Sequence, residues 1–284
     1  MPHTAPATAG SAPTIAGTTA CESAPEPAPP VTGSDLTLTG ERTLPGIDVE
    51  NYWFRRHEAA YLAAVRWLTR PSQVLEAGMG EGYGAALLAA AGHEVTGIDY
   101  DAVTVRHAAR RYPQLRVIRG NVVALPFPNA SFDAVVSLQV IEHLWDQPGF
   151  VAECARVLRP GGTLVISTPN RLTFSPGYDP TRDTPRNPFH TREFSDTELA
   201  DLLSPAFPSL TRYGLHHGSR LRALDRECHR RIGHGLIAAQ LATPPDEWPP
   251  WLRSAVAGVT ADDFTLSTER VDSALDLVVV ARRP

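Results

Sequence analysis

The fold of this chain is decided by the segment Glu76-Ala77-Gly78-Met79-Gly80-Glu81-Gly82-Tyr83-Gly84. An apolar stretch at 73–77, typical of a buried β-strand, leads into it, and an alanine- and leucine-rich stretch at 84–91 that predicts a helix follows it. Glycine in such a turn adopts positive φ readily and lets the backbone approach a ligand closely. We therefore predict a strand–turn–helix unit whose glycine loop holds a small molecule.

Outward from this loop, short apolar stretches alternate with helical patterns, which indicates parallel strands with both faces of the sheet covered. The expected fold class is α/β, a doubly wound, mostly parallel seven-stranded sheet. The predicted strands are 73–77, 94–98, 115–119, 132–138, 163–167, 210–215 and 274–281, and the helices among them are 84–91, 102–111, 148–158 and 196–203.

Composition divides the chain into segments. Residues 1–34 are rich in Pro, Ala, Thr and Ser, cannot bury enough apolar surface to offset their ordering entropy, and are predicted to be a disordered tail. Residues 35–70 form an N-terminal helical cap segment, and 71–284 form the α/β domain. Within that domain, 170–195 is expected to be an active-site loop, and 219–266 a helical insertion before the last strand, acting as a lid or a dimerisation element.

Charge and residue counts exclude several classes of function. The net charge of −5 argues against a nucleic-acid partner, and the absence of lysine excludes Schiff-base and P-loop lysine chemistry. The three cysteines form neither a disulfide framework nor a metal knuckle. No run reaches the roughly 18 apolar residues that a membrane span needs, and no secretory signal is evident. We expect a cytoplasmic protein.

Two cofactor classes compete for the glycine loop. An NAD-type GxGxxG loop would need a glycine at the position of Tyr83, and Glu76 would repel a pyrophosphate. The ammonium group of S-adenosylmethionine suits such a carboxylate better. Asp99, at the end of the second strand, is placed to accept both ribose hydroxyls. Asn121, after the third strand, offers an amide to the adenine edge.

The motifs together resemble a class I S-adenosylmethionine-dependent methyltransferase with a Rossmann-like sheet. The resemblance rests on the glycine loop, the Asp99 strand tip, Gly120-Asn121 with Leu125-Pro126-Phe127, Val140-Ile141-Glu142-His143-Leu144, and Val157-Leu158-Arg159-Pro160-Gly161-Gly162. It implies the cofactor S-adenosylmethionine. The expected cofactor-binding residues are Glu76, Gly78, Gly80, Gly82, Asp99, Tyr100, Asn121, Val122 and Gln139, with Tyr52 and His57 closing over the methionine moiety.

A narrower resemblance covers nearly all of the chain outside the tail. Leu38–Pro45, Asn51–His57, Ser167–Arg171, Asn187–Glu193 and His217-Gly218 are similar to segments of the mycobacterial O-methyltransferases of polymethylated polysaccharides, in particular of methylglucose lipopolysaccharide. The resemblance implies a saccharide acceptor whose hydroxyl group is methylated.

Hydroxyl methylation needs a group that takes the proton of the hydroxyl. The candidate bases follow strand tips, where ligands of open α/β sheets bind: His143 is ranked first, His190 second and His217 third, with Glu142 beside the first of them. Gln139, Glu142 and His143 also resemble the metal segment of quinone-biosynthetic O-methyltransferases, which carry Glu at the position of Gln139. This implies a site for Mg²⁺ built on Glu142 and His143.

Two alternatives stay open. The acceptor could be a small aromatic, polyketide or quinol molecule, for which the pocket should be narrow and apolar rather than an open polar groove. The chain could also be a catalytically silent methyltransferase-like binding module. A homodimer is a further expectation, tied to the insertion at 219–266.

Overall fold

The computed structural model describes residues 42–68 and 70–284. The predicted tail at 1–34 and the first part of the cap segment therefore lie outside the described residues. The described part of the cap begins with Arg42 and carries one turn of 3₁₀ helix, Asp48–Glu50, directly before the first long helix.

Strands and helices alternate as the sequence predicts. The strands are β1 (Gln73–Ala77), β2 (Glu94–Asp99), β3 (Arg116–Arg119), β4 (Phe132–Leu138), β5 (Leu158–Pro169), β6 (Ser209–His217), β7 (Phe264–Ser267) and β8 (Asp276–Arg282). The helices are α1 (Asn51–Trp67), α2 (Tyr83–Ala90), α3 (Ala102–Arg111), α4 (Gln147–Val157), α5 (Arg171–Phe174), α6 (Asp196–Leu203), α7 (Ser219–Ile232), α8 (Leu236–Ala242) and α9 (Pro250–Ala257).

The described strands form one sheet in the order β3-β2-β1-β4-β5-β8-β6-β7. The first five of these strands run parallel to one another. The strand β8 pairs antiparallel with β5 and β6, and β7 pairs antiparallel with β6. The prediction of seven strands is wrong by one, because β7 lies inside the segment expected to be helical. Four residues at a sheet edge carry too short a pattern to show a two-residue period.

The strands β1, β2, β4 and β5 are largely buried on both faces, as a doubly wound sheet requires, whereas β3 at the edge is more exposed. Successive side chains point to opposite faces, so Leu75 packs with Phe150 of α4 and Leu199 of α6, while Val74 packs with Leu88 of α2. The binding edge of the sheet is the one at which these parallel strands end.

The segment predicted as an insertion forms α7, α8 and α9 and encloses an apolar cluster of its own. This cluster includes Leu221, Leu252 and Val256, and it packs on Tyr52 of α1. The insertion also packs on the sheet directly, because Leu215 of β6, Phe264 of β7 and Val278 of β8 belong to the same cluster. Among residues 42–68 and 70–284, none of the helices has the length and apolarity to cross a membrane.

Candidate active site

The glycine loop turns between β1 and α2 with three residues in left-handed conformations. Gly78, Gly80 and Gly82 have φ of 81°, 55° and 100°, which favours glycine at each position. A Cβ on Gly78 would lie 2.5 Å from Cγ2 of Val140, so the loop also packs too tightly there for a side chain. The loop backbone is held on the sheet by Gly78 N–H, which donates to the carbonyl oxygen of Ile98 over 2.9 Å.

Glu81 fastens the same loop to α3. This side chain is buried, and it accepts hydrogen bonds from the hydroxyl of Tyr112 (2.8 Å) and from Nε2 of His107 (2.9 Å). The sequence motifs did not predict this role for Glu81. Two sequence features could have indicated this role. Glu81 stands between two glycines of the loop, and a histidine in α3 and a tyrosine directly after it can both bond to a carboxylate.

Asp99 lies at the tip of β2 and faces the loop. Its Oδ2 accepts from Gly80 N–H (3.0 Å) and its Oδ1 accepts from Asp101 N–H (2.9 Å). Burial raises the pKa of this carboxyl group, and the two backbone donors oppose that rise. Asp99 thus ties the loop to the second strand while it borders the cavity described below.

Glu76 lies beneath the loop. It is fully buried, and the hydroxyl of Tyr61 donates to its Oε1 over 2.6 Å. Burial raises the pKa of Glu76 to about 8, so the carboxyl group holds its proton at neutral pH. Its place under the loop suits it to support α2 and the turn, and direct contact with an ammonium group stays a prediction.

A cavity of about 570 Å³ opens above the glycine loop at the carboxyl ends of β1, β2, β3 and β4. It brings together most of the predicted cofactor-binding residues. Its lining is Arg42, Gly78, Gly80, Asp99, Tyr100, Asp101, Asn121, Val122, Val123, Gln139, Val140, His143, Leu144, Trp145 and Asp146. Glu76, Gly82, Tyr52 and His57 are not among these residues. We call this space the loop cavity.

A second cavity of about 480 Å³ adjoins the first, and we call it the acceptor cavity. It shares Arg42, Gln139 and His143 with the loop cavity. Its other lining residues are Thr43, Glu50, Trp53, Arg56, His57, Glu142, Pro169, Phe174, Ser175, Arg186, Asn187, Pro188, Phe189, His190, Glu193 and Leu241. The two spaces therefore meet at Gln139 and His143, which lie in the turn after β4.

Gln139 turns the chain at this junction. It is one of three described non-glycine residues with positive φ, at 58°, a conformation that costs an L-residue about 1–2 kcal/mol. Its amide donates to Oγ of Ser167 (3.1 Å) and to Oδ1 of Asp276 (3.2 Å). Backbone strain of this kind is concentrated at functional sites. Here the strained residue, Gln139, lies where the two cavities meet.

His143 has a fixed tautomer. Its Nδ1 lies 2.9 Å from the carbonyl oxygen of Phe189, which can only accept, so Nδ1 carries the hydrogen and Nε2 carries the lone pair. His190 stands next to it, with 5.1 Å between the ring centroids. The structure thus brings together the two histidines ranked first and second.

Glu142 and the loop before α6 complete this cluster. Glu142 is 1% exposed, Oγ1 of Thr168 donates to its Oε2 over 3.1 Å, and burial raises the pKa of its carboxyl group. Nδ1 of His190 lies 2.9 Å from Oε1 of Glu193, to which it donates, and Asn187 donates to Nε2 of His190 over 3.0 Å. The loop predicted at 170–195 thus does reach the end of β4.

His217 and Tyr52 lie elsewhere. Tyr52 is fully buried, and its hydroxyl lies 2.7 Å from Nε2 of His217 in the core below α7. Burial lowers the pKa of His217 to about 4. Neither residue is among the lining of the loop cavity or the acceptor cavity, so the base role expected of His217 and the cofactor contact expected of Tyr52 have no support from these cavities.

His57 does reach a cavity, but a different one from that expected. It lines the acceptor cavity, and its Nδ1 lies 3.3 Å from Oγ1 of Thr43. Burial lowers the pKa of His57 to about 3, so its ring is neutral.

A buried ion pair under the acceptor cavity escaped the sequence analysis. Arg56 and Asp276 are 3% and 2% exposed. Nε of Arg56 donates to Oδ2 of Asp276 over 2.7 Å, and a second bond joins Nη2 to Oδ1. The guanidinium group also lies 4.5 Å from the ring centroid of Phe174. The sequence feature that could have indicated this pair is Asp276 at the start of the otherwise apolar strand β8, because a buried carboxylate needs a partner.

Known proteins match this chain in sequence and in fold. Residues 75–166 match the family described as Methyltransferase domain. The chain is 51% identical over 257 residues to a probable S-adenosylmethionine-dependent methyltransferase of Mycobacterium tuberculosis, covering 88% of this chain and 90% of that protein. It is 52% identical over 258 residues to a probable S-adenosylmethionine-dependent methyltransferase of Mycolicibacterium smegmatis, covering 88% and 96%.

A solved structure supports the fold alone. An S-adenosylmethionine-dependent methyltransferase of Thermotoga maritima, described as a possible histamine N-methyltransferase, superposes with a TM-score of 0.55 at 19% identity and covers 83% of this chain and 99% of that one. With half of the residues shared along 88% of the sequence in the mycobacterial proteins, the chain belongs to the S-adenosylmethionine-dependent methyltransferases.

Proposed function

We propose that this methyltransferase transfers the methyl group of S-adenosylmethionine to a hydroxyl group of a saccharide, in the synthesis of methylglucose lipopolysaccharide or a related polymethylated polysaccharide. The observation that carries the proposal is the junction of the two cavities at Gln139 and His143. Cofactor in the loop cavity and acceptor in the other would meet beside an imidazole that has a free lone pair.

The cofactor seat follows from the loop cavity. Asp99 would accept the ribose hydroxyls, the side chain of Asn121 would face the adenine, and the loop backbone at Gly78 and Gly80 would contact the methionine moiety. Tyr100 and Val122 border the same space. Hydrogen bonds to Asp99 and to Glu81 hold the loop in place. The cofactor seat is therefore organised before the cofactor arrives, which lowers the entropic cost of binding.

Transfer is an in-line displacement at the methyl carbon. The oxygen–carbon bond forms as the carbon–sulfur bond breaks, S-adenosylhomocysteine leaves, and the hydroxyl group loses its proton. Holding oxygen, carbon and sulfur in line can lower the barrier by several kcal/mol. Nε2 of His143 is the proton acceptor that the protein offers at the junction, and a positioned base typically contributes about 10²–10⁴-fold.

Most of the surface that the acceptor cavity exposes is apolar, and hydrogen-bonding side chains and aromatic rings lie within it. Most of its side chains can hydrogen-bond, among them Thr43, Arg186 and Asn187, while Trp53 and Phe174 offer ring faces. An apolar surface would also suit a quinol or polyketide acceptor. The mixture of hydrogen-bonding groups and aromatic faces matches a sugar ring, which has hydroxyls on its rim and apolar faces.

A further space supports an acceptor of several sugar units. A cavity of about 490 Å³ in the loop after α5 shares Ser175 and Arg186 with the acceptor cavity and is also lined by Tyr178 and Arg182. A chain that leaves the acceptor cavity on this side would continue over these residues.

Labelled S-adenosylmethionine, incubated with partly methylated gluco- and manno-oligosaccharides and with phenols and quinols, tests the proposal. Label in a saccharide alone supports it, and label in a phenol or quinol alone rejects it. Calorimetry with S-adenosylhomocysteine tests the alternative of a silent module, for which no binding at hundreds of micromolar is the expected result.

A further inference from the structure

We infer that Glu142, His143 and His190 form a binding site for a divalent transition-metal ion at the floor of the acceptor cavity. Each residue offers one ligand atom, and these atoms all lie within 4.8 Å of one another. Two imidazoles and one carboxylate form a donor set that proteins use for zinc and for non-haem iron, with open positions left for other ligands. All three residues line the acceptor cavity, so the open positions would face it.

The cluster is assembled from two distant segments that are fastened together. Thr191 N–H donates to the carbonyl oxygen of Glu142 over 2.7 Å, and Oγ1 of Thr191 donates to the carbonyl oxygen of Leu144 over 2.6 Å. These bonds fix the loop that carries His190 against the turn that carries the other two ligands. The ligand atoms therefore converge without a rearrangement of the backbone.

Both histidines are oriented as metal ligands usually are, with the second ring nitrogen donating to a carboxylate or a backbone carbonyl. Nδ1 of His143 donates to the carbonyl of Phe189, and Nδ1 of His190 donates to Glu193. Nε2 of each ring then carries the lone pair. Nε2 of His190 accepts from the amide of Asn187, which an ion would have to displace.

The structure adds a third donor to the two expected from the sequence, Glu142 and His143. The amide of Gln139 donates to Ser167 and Asp276, so His190, and not Gln139, stands as the third ligand. Two nitrogen donors suit Zn²⁺, Fe²⁺ or Co²⁺, whereas Mg²⁺ prefers oxygen ligands throughout. The geometry thus points away from Mg²⁺.

A bound ion supplies Lewis acidity, which lowers the pKa of a hydroxyl group beside it. With an ion bound, Nε2 of His143 would coordinate the ion and would not accept the proton of the hydroxyl group. The site does not depend on the identity of the acceptor, since binding of the ion can be measured without one.

The test is a calorimetric titration of the full chain, freed of metal with EDTA and saturated with S-adenosylhomocysteine, with Co²⁺, Zn²⁺ and Mg²⁺ in turn. We expect one Co²⁺ or Zn²⁺ per chain, a visible absorption spectrum for Co²⁺ with nitrogen ligands, and binding of Mg²⁺ at least tenfold weaker. His190→Gln and Glu142→Gln should each weaken Co²⁺ binding at least tenfold, as loss of one ligand predicts.

His229→Gln is the matched control, since His229 is an exposed histidine of α7 far from the cavity. Unchanged affinity for S-adenosylhomocysteine shows that each variant is folded. Equal Co²⁺ affinity in the wild type and the His190→Gln variant, or no binding at millimolar Co²⁺, would overturn the inference. Either result would leave His143 as the base and the proposed sugar methylation intact.

Discussion

Nδ1 of His143 donates a hydrogen bond to the carbonyl oxygen of Phe189 over 2.9 Å. This one contact joins the end of β4 to the loop before α6, 46 residues further along the chain. It fixes which ring nitrogen of His143 carries the lone pair. In the proposed function, this lone pair accepts the proton of the acceptor hydroxyl.

Replacing His143 should affect turnover rather than cofactor binding. We expect His143→Ala to reduce kcat by about 10²-fold or more, because the junction loses its imidazole. Affinity for S-adenosylhomocysteine, measured by calorimetry, should change less than threefold, and His229→Ala should behave as the wild type. Full activity of the His143 variant would remove the residue from the mechanism.

Asp99 should govern cofactor affinity. Asp99→Ala removes a carboxylate that holds Gly80 and Asp101 and that borders the loop cavity. Since a hydrogen bond to a charged group is worth about 1.5–3 kcal/mol, we expect affinity for S-adenosylhomocysteine to fall about 10–100-fold. Asp262→Ala, at an exposed position, serves as the control. An unchanged dissociation constant for the Asp99 variant would reject its ribose role.

The ion pair of Arg56 and Asp276 should be important for stability. Arg56→Ala leaves a buried carboxylate without its partner, and such a loss typically costs about 3–5 kcal/mol. The neighbouring Arg55 offers a matched control, because its ion pair with Glu58 is more exposed, and solvent-exposed pairs are worth about 0–1 kcal/mol. Urea unfolding of both variants measures the difference, and equal losses would contradict this account.

Glu76 should make the stability of the cofactor-free protein depend on pH. The folded protein holds the proton of Glu76 up to about pH 8, whereas an unperturbed glutamate releases it near 4.5. Between these values the folded state binds more protons than the unfolded one, so stability falls as the pH rises, by up to about 1.4 kcal/mol per pH unit.

Glu76→Gln removes the titrating group and keeps an oxygen that can accept from Tyr61. The free energy of unfolding of this variant should therefore decline less between pH 5 and pH 8 than that of the wild type. Urea titrations at the two pH values provide the comparison. Parallel pH profiles for the two proteins would show that Glu76 is ionised in the folded state.

The glycine loop and its strand could be predicted because their pattern is local. Positive φ at Gly78, Gly80 and Gly82 is a property of the residues themselves, and Asp99 follows from the length of one strand–helix–strand unit. The strand β7 was missed because four residues at a sheet edge, placed after helices, have no distinct period.

The histidines show what sequence order leaves open. His143 and His217 both follow strand ends, but the strand order places β6 three positions from β4, and Tyr52 draws the ring of His217 into the core. The pairing of Arg56 with Asp276 joins residues 220 positions apart. Such pairings depend on long-range packing, which no local pattern encodes.

The most direct measurement is NMR of the product formed from labelled S-adenosylmethionine and a series of gluco- and manno-oligosaccharides of increasing length. The account predicts a new O-methyl resonance on a sugar carbon, with kcat/KM rising as the acceptor grows long enough to reach the loop after α5. Cofactor binding without label in any saccharide, or label on a nitrogen or on an aromatic hydroxyl instead, would contradict it.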